Sequence, residues 1–270
     1  VLEKIINKPI NFCVSSNKES IFNQLKNVDL YNIKGNHPAG NESFQINRID
    51  PINSGEVVWV VKPEDLANIG SFFKTGQYCP DRTIAISGDS INSSKYFKTT
   101  IGSEISSLFN KKDNLPTSNY RVINGDPLSG SKVDNSGFIG YYNNTISVIE
   151  EGNNYRMLGW LPFMYNSVPS FSKTSLSWLL GGEKKVNTNL NGEERAIVVT
   201  GEMEKYFPMD IFPMQLIKAC MRGDIEKMES LGIYEVIPED FGLVDFSCTS
   251  KIEAQEIIKN GIEIMLKEVG

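Results

Sequence analysis

No C-x-x-C pair joins any of the four cysteines, Cys13, Cys79, Cys220 and Cys248, and His37 is the only histidine in the chain. Four thiolates for an iron–sulfur cluster cannot be gathered from such a set, nor can the usual zinc ligand sets. The scatter offers no disulfide framework and fits a reducing compartment. Long apolar runs are missing too. The longest, VVWVV at 57–61, falls far short of the ~20 residues of a spanning helix, and no signal-peptide pattern is present. Positive charge is in deficit. A net charge of −6 argues against nucleic acid or an anionic lipid surface as the main partner. The glycine patterns of nucleotide sites are also absent. GNHPAG at 35–40 has the G-x4-G spacing but continues Asn41-Glu42-Ser43, without the lysine and hydroxyl that hold phosphate and Mg²⁺, and no G-x-G-x-x-G occurs. Nothing near His37 forms a nucleophile elbow. A histidine before proline in a Gly-flanked stretch reads as part of a tight turn.

What is present is an ordinary globular composition, 40% hydrophobic over 270 residues, enough for one large or two to three small domains. The patterning predicts an α+β multidomain chain. Residues 1–80 read as a partial Rossmann-like α/β unit, with PINFCVSS at 9–16 as a strand, KESIFNQL as a short helix and EVVWVV at 56–61 as a buried strand. A helix over 63–76 opens on Pro63, shares Leu66, Ile69, Phe72 and Phe73 on one face, and ends at Gly76. Residues 81–135 form the next unit. It comprises the strand RTIAISG with alternating Ile84 and Ile86, a helix over TTIGSEISSLF with Ser103 as N-cap, and the strand YRVING ending in an Asn-Gly turn. Residues 136–207 are a strand-rich extension. GFIGYYNNTISVIEEG is predicted to be a hairpin turning at Asn143-Asn144, and NLNGEERAIVVTG a turn followed by an alternating strand.

Residues 208–270 read as helical. A first helix runs from about Ile211, with Asp210 as N-cap and Pro213 in its first turn, to Arg222, where Gly223 takes the left-handed position. A second runs from Ile225 to Leu231 behind Asp224 and stops at Gly232. A third opens on a capping box, Ser250 with Glu253, and repeats Ile252, Ala254, Ile257, Ile258, Ile262, Met265 and Leu266 at helical spacing. Met214, Ile217 and Met221 of the first helix are expected to face Ile258, Ile262 and Met265 of the last. The layout resembles a two-cluster ferredoxin-type domain from which the cluster cysteines are gone.

Eight strings in order carry a wider resemblance: GNHPAG (35–40), TGQ (75–77), RTIAISG (82–88), RVINGDPLSG (121–130), GFIGYYNNTISVIEEG (137–152), LGWL (158–161), NGEERAIVVTGEMEKYFPMDIFP (191–213) and the tail. They resemble the NqrA family, one of the subunit families of sodium-translocating NADH:quinone oxidoreductases. More distantly they resemble the RnfC component of the Rnf electron-transport complex and the flavoprotein subunit of respiratory complex I. The resemblance implies that residues 81–135 are an SLBB β-grasp domain. It places the strings in the later part of the family's polypeptide, so a preceding region that completes the first domain is expected. It also implies a chain not catalytic alone, at the cytoplasmic face of the inner membrane. There the chain would bind no cofactor of its own, its partners would be the other subunits of the complex, and ubiquinone would be the substrate of the whole.

With quinone in view, the stretch LGWLPFMYNSVPSFS at 158–172 is the candidate contact. A quinone needs a flat apolar slot with donors for its carbonyls. Trp160, Phe163, Tyr165 and Phe171 supply rings, two with polar tips, while Pro162 and Pro169 break any helix. Packing between domains or against a partner protein of the complex is the simpler reading of the same residues. His37 could also donate to a quinone carbonyl. The competing function is a free-standing flavin- or NAD-dependent oxidoreductase, against which the missing dinucleotide glycines argue. The purified chain is accordingly expected to be colourless and to contain neither iron nor zinc in stoichiometric amount, with no calorimetric heat on titration with NADH or FMN. A flavin band or micromolar stoichiometric binding of either ligand would restore the free-standing enzyme.

Overall fold

The computed structural model describes residues 2–6, 8–16, 20–109, 119–152 and 185–269. The chain forms two compact units. One gathers Val1–Cys79, Val198–Cys248 and Ile252–Gly270, and the other is Pro80–Ile197 with Thr249–Lys251. Residues 1–80 and 208–270, which the sequence sets in separate domains, thus share one unit apart from Pro80 and Thr249–Lys251. The sheet of the other runs across the boundary expected at residue 135.

In the first unit, α1 (Leu2–Ile6) precedes β1 (Asn11–Ser15) and β2 (Asp29–Ile33). The two strands pair in parallel from Asn11↔Asp29 to Ser15↔Ile33. Between them, among the described residues, a 3₁₀ turn, Ile21–Gln24, stands where the sequence predicts a helix, opened by Ser20, whose side chain accepts from the Phe22 N–H. Next come α2 (Glu42–Ile49) and α3 (Pro63–Thr75). As its sequence requires, α3 has Pro63 in its first turn and Gly76 left-handed at its end. Residues 56–61 are a correction. They belong to no strand, and Val57–Val61 are exposed. Their β-branched side chains favour a strand, but they pair with no strand among the described residues.

The second unit holds β3 (Asp81–Ser87), β4 (Lys95–Thr100), β5 (Tyr120–Asn124), β6 (Ser131–Val133) and β7 (Thr145–Glu150) in the order β4-β3-β7-β5-β6. A short helix, α4 (Ser106–Phe109), replaces the longer one expected over this region. Thr99 and Thr100 belong to β4, and the Ser103 hydroxyl closes a turn by donating to the Thr100 carbonyl. Ile84 and Ile86 alternate inward and join Ile105, Leu108, Phe109, Val122, Ile139, Ile146 and Val148 in the core. The hairpin expected over 137–152 does not form. Before Thr145, Phe138 makes an isolated antiparallel bridge to Glu104 and Tyr141–Tyr142 form a turn, and β7 runs parallel to β3 (Ala85↔Thr145) and antiparallel to β5 (Val122↔Val148). The strand expected after Asn191 is likewise absent, with Val198 and Val199 exposed.

The first unit closes with α5 (Pro213–Arg222), α6 (Ile225–Ser230), α7 (Gly242–Ser247) and α8 (Ala254–Val269). Gly223 and Gly232 are left-handed where the sequence placed helix ends, and Asp224 caps α6 through the Lys227 N–H. Two starts differ from expectation. Helix α5 opens at Pro213 with no side-chain cap. The cap of α8 is Asp245, whose carboxylate accepts from the backbone N–H groups of Ala254 (2.5 Å) and Gln255 (3.3 Å) and from Gln255 Nε2 (2.8 Å). The expected capping residue, Ser250, instead donates to the Ala196 carbonyl. Met214, Ile217, Ile258 and Met265 are buried as expected, whereas Met221 is exposed and Ile262 only half-buried. The closest approach is at Gly261, where an added Cβ would lie 2.5 Å from Cys220 Sγ and 3.0 Å from Cys220 Cβ.

Two substitutions test this packing. Asp245→Ala removes a cap and is expected to cost about 0.5–2 kcal/mol in chemical denaturation. Alanine in place of Gly261 would gain up to ~1 kcal/mol of helix propensity. The forced contact with buried Cys220 costs roughly 1–3 kcal/mol, so Gly261→Ala is expected to destabilise. Adding Cys220→Ala should recover part of the loss. No recovery would mean the sulfur is not what Gly261 accommodates.

Candidate functional site

At one end of the five-stranded sheet, three of the eight strings meet. Arg82, on β3, is only 2% exposed. Its Nη1 donates to Asn144 Oδ1 at 3.0 Å, and its guanidinium carbon lies 5.6 Å from the centre of the Tyr141 ring, within cation–π range. Asn143 Nδ2 donates to the Asn124 carbonyl at 3.2 Å, and Ser147 Oγ to the Gly125 carbonyl at 2.7 Å. Asn124 Oδ1 is buried without a hydrogen-bond partner among the described residues. Glycine is required around it. A Cβ on Gly140 would sit 2.8 Å from Asn124 Nδ2, and one on Gly130 would sit 2.5 Å from both the Asp126 carbonyl and Ile123 Cγ2. The result is a tight, amide-rich nest with one buried cation.

Asp126 closes the neighbouring turn. It accepts from the N–H groups of Leu128 (2.8 Å) and Ser129 (3.1 Å) and from Ser129 Oγ (2.5 Å). Desolvation pushes its pKa up, but these hydrogen bonds outweigh that and hold it below 3.8. Outside the nest, Phe138, Tyr141 and Tyr142 are exposed, the two tyrosine rings 5.0 Å apart and edge-on. Reading 137–152 as a hairpin hid this aromatic cluster. The available signal was a Tyr-Tyr pair between glycine and two asparagines, a composition that favours turns over strands.

In the first unit the 35–40 loop is a run of turns, with Ala39 N–H bonded to the Asn36 carbonyl and Asn41 N–H to that of Pro38. His37 is exposed. The loop leads to Asp240, which is 1% exposed. Asp240 accepts from Ser43 Oγ (2.5 Å), Asn41 Nδ2 (3.1 Å) and the Ile237 N–H (3.0 Å). Burial pushes its carboxyl above the usual range despite these bonds. No group of three or more His, Cys, Asp or Glu among the described residues could hold a metal ion. Cys220 and Cys248 are buried free thiols, and desolvation pushes Cys220 up to about 11, which leaves it unreactive. Trp160, Phe163, Tyr165 and Phe171, the candidate quinone residues, lie outside the described residues.

The serine–carboxylate pairs described above, Ser43 with Asp240 and Ser129 with Asp126, hold turns in place. What the chain shares with known proteins is therefore informative. Residues 1–78 match the family described as NqrA second alpha/beta domain, and residues 83–135 match that described as NQRA C-terminal domain, which carries the SLBB designation. The NqrA protein of the Na⁺-translocating NADH-quinone reductase of Neisseria meningitidis serogroup B is 31% identical over 273 residues, 99% of this chain. The chain belongs to the NqrA family. The corresponding proteins of Haemophilus influenzae Rd and Pasteurella multocida are 31% and 30% identical over 97% and 99% of the chain. It spans 60%, 58% and 60% of these three relatives, respectively.

The Asp126 turn gives a pH test. A carboxyl held below its unfolded value contributes stability above pH 3.8 that is lost as pH falls through the lower folded value. Asp126→Asn keeps an acceptor for the two backbone N–H groups and removes the titration. Its denaturation midpoint is expected to fall less steeply on acidification below pH 3.8 than that of the parent chain. Identical acid slopes would show that the turn carries no such linkage.

Proposed function

We propose that this chain is a cofactor-free part of the NqrA protein of a Na⁺-translocating NADH:quinone reductase. In this reading it sits at the cytoplasmic face of the membrane and contributes docking surface to the assembly rather than turnover of its own. The observation that carries the reading is identity of 31% over 99% of the chain to an NqrA protein. A likeness of that length favours a component of the complex over a free-standing flavin- or NAD-dependent oxidoreductase. No helix among the described residues is long and apolar enough to cross a membrane, so the membrane connection runs through partner subunits. We read the 1–78 layer as Rossmann-like and the α5–α8 helices as a ferredoxin-type shape without its clusters. Ubiquinone is the substrate of the complex, and within this chain its contact is assigned to the 158–172 stretch, with Trp160 or Tyr165 against the ring or its carbonyls.

Affinity-tagging the chain in its own cells tests the reading. It is expected to co-purify from detergent-solubilised membranes with integral subunits and a Na⁺-stimulated NADH:quinone reductase activity. Recovery without membrane subunits, and with a bound flavin, would overturn it. Photo-crosslinking a quinone analogue in that preparation is expected to label 158–172. Labelling confined elsewhere, with unchanged quinone kinetics in the Trp160→Ala, Tyr165→Ala double mutant, would remove the quinone role from this stretch.

A further inference from the structure

Three asparagine–glycine pairs occur in the chain, at 124–125, 191–192 and 260–261. This dipeptide can react with itself. The backbone nitrogen of the glycine attacks the amide carbon of the preceding side chain, and no Cβ on the glycine shields that nitrogen. The fold treats the three pairs differently. Asn124 ends β5, paired with Ser131 on one side and Ile146 on the other, and it is 8% exposed. The Gly125 N–H beside it donates to the Thr145 carbonyl at 2.9 Å. Asn260 is exposed but lies within α8, where Gly261 is buried and packs against Cys220. A helical N–H is committed to the carbonyl four residues back. Asn191 has neither restraint. Both it and Gly192 are exposed, and the pair belongs to no helix or strand. Its backbone is left-handed, at φ 51°, a conformation that asparagine adopts in turns. Its Nδ2 donates to the Asn189 carbonyl at 3.2 Å, and the Gly192 N–H has no acceptor among the described residues.

We infer that Asn191 is a self-modification site, the one pair of the three that the fold leaves free to react. The Gly192 nitrogen bonds to Asn191 Cγ, the Cγ–Nδ2 bond breaks, and Nδ2 leaves as ammonia with the proton that Gly192 gives up. Water then opens the cyclic imide at either carbonyl. The product is an ordinary aspartyl residue or an isoaspartyl one, whose main chain runs through the former side chain. Nothing is oxidised or reduced, and water is the co-reactant. The backbone just beyond gives the conversion a consequence. The Arg195 N–H donates to the Ser250 carbonyl at 2.9 Å, and Ser250 Oγ donates to the Ala196 carbonyl at 3.0 Å. An isoaspartyl link lengthens the main chain by a methylene ahead of this tie and puts a carboxylate where a neutral amide stood. The tie then loses its register. None of this depends on the NqrA assignment.

Peptide mapping tests the inference. The folded 270-residue chain is held in warm, mildly alkaline buffer and sampled over days. Trypsin separates the three pairs, cutting after Arg121 and Lys132, after Lys185 and Arg195, and after Lys259 and Lys267. Fragment spectra are expected to place the mass gain of an amide-to-acid exchange on Asn191, and the peptide is expected to accept methyl groups from an isoaspartyl methyltransferase. Asn124 and Asn260 must wait for local opening, so their conversion is expected to be about tenfold slower or more. In the guanidinium-unfolded chain all three should convert at similar rates. Gly192→Ala is expected to suppress conversion at Asn191. Its added methyl meets the flexible end of Lys251 first, with Cε at 2.9 Å, which the fold can accommodate. Conversion at Asn191 no faster than at the other two pairs of the folded chain would overturn the inference. So would the same ranking in guanidinium, because sequence and not fold would then set it. In the converted chain the Arg195 amide is expected to exchange hydrogen faster, with the Tyr120–Asn124 amides unchanged. An Arg195 amide that exchanges as before would refute the effect on the tie.

Discussion

Much of the first unit depends on one carboxylate. Asp240 lies 197 residues from Ser43 and 199 from Asn41, and accepts hydrogen bonds from both, while its second oxygen takes the Ile237 N–H. It thereby fastens the turn that opens α2 to the helices at the far end of the chain. Nearby, Phe207 packs on both Phe44 and Phe241, with ring centres at 5.8 and 4.9 Å. Removing a carboxylate from water is costly, and it is tolerated where donors surround it. Here three donors do so, and the raised carboxyl pKa records that the cost is only partly offset. The polar tie fixes which surfaces meet, and the apolar rings beside it supply most of the favourable free energy.

Local signals were the legible part of the sequence. Left-handed glycines need no tertiary context, and Gly76, Gly223 and Gly232 end helices where their patterns placed them. The inward alternation of Ile84 and Ile86 on β3 was equally local. Features set by distant partners were not legible. The α8 cap comes from Asp245 across a turn, so the nearer Ser250 looked like the natural candidate. Strand β7 pairs in parallel with β3, whereas two asparagines after a tyrosine pair read as the tip of a hairpin. Val57–Val61 has every local property of a strand, but a strand is defined by its neighbour, and no described residue supplies one.

The site at the end of the five-stranded sheet was half legible. Its strings stood out as family-like, but nothing in them announced that Arg82, Asn124 and Asn144 would come together. Buried amides around a guanidinium form a rigid support with no reacting group. The exposed tyrosines beside it offer flat surface with polar tips, which suits recognition more than turnover. This agrees with the proposed role, which asks the chain for surfaces.

The interleaving of the units bears on the order in which the protein can fold as it is made. Pro80–Ile197 is nearly continuous in sequence, so its sheet can close while the remainder is still being synthesised. Helix α2 is made before that unit yet must wait for Asp240, more than 150 residues after Cys79. Contacts of such long sequence separation form late and slowly, and the chain carrying them is open to misassembly in the interval. A nascent chain stalled before Asp240 would present the turn opening α2 unfastened, with Phe44 deprived of the ring it packs against whenever the stall also precedes Phe207. The segment made before the second unit is then secured after it, and the quality-control machinery of the cell would meet it in that interval.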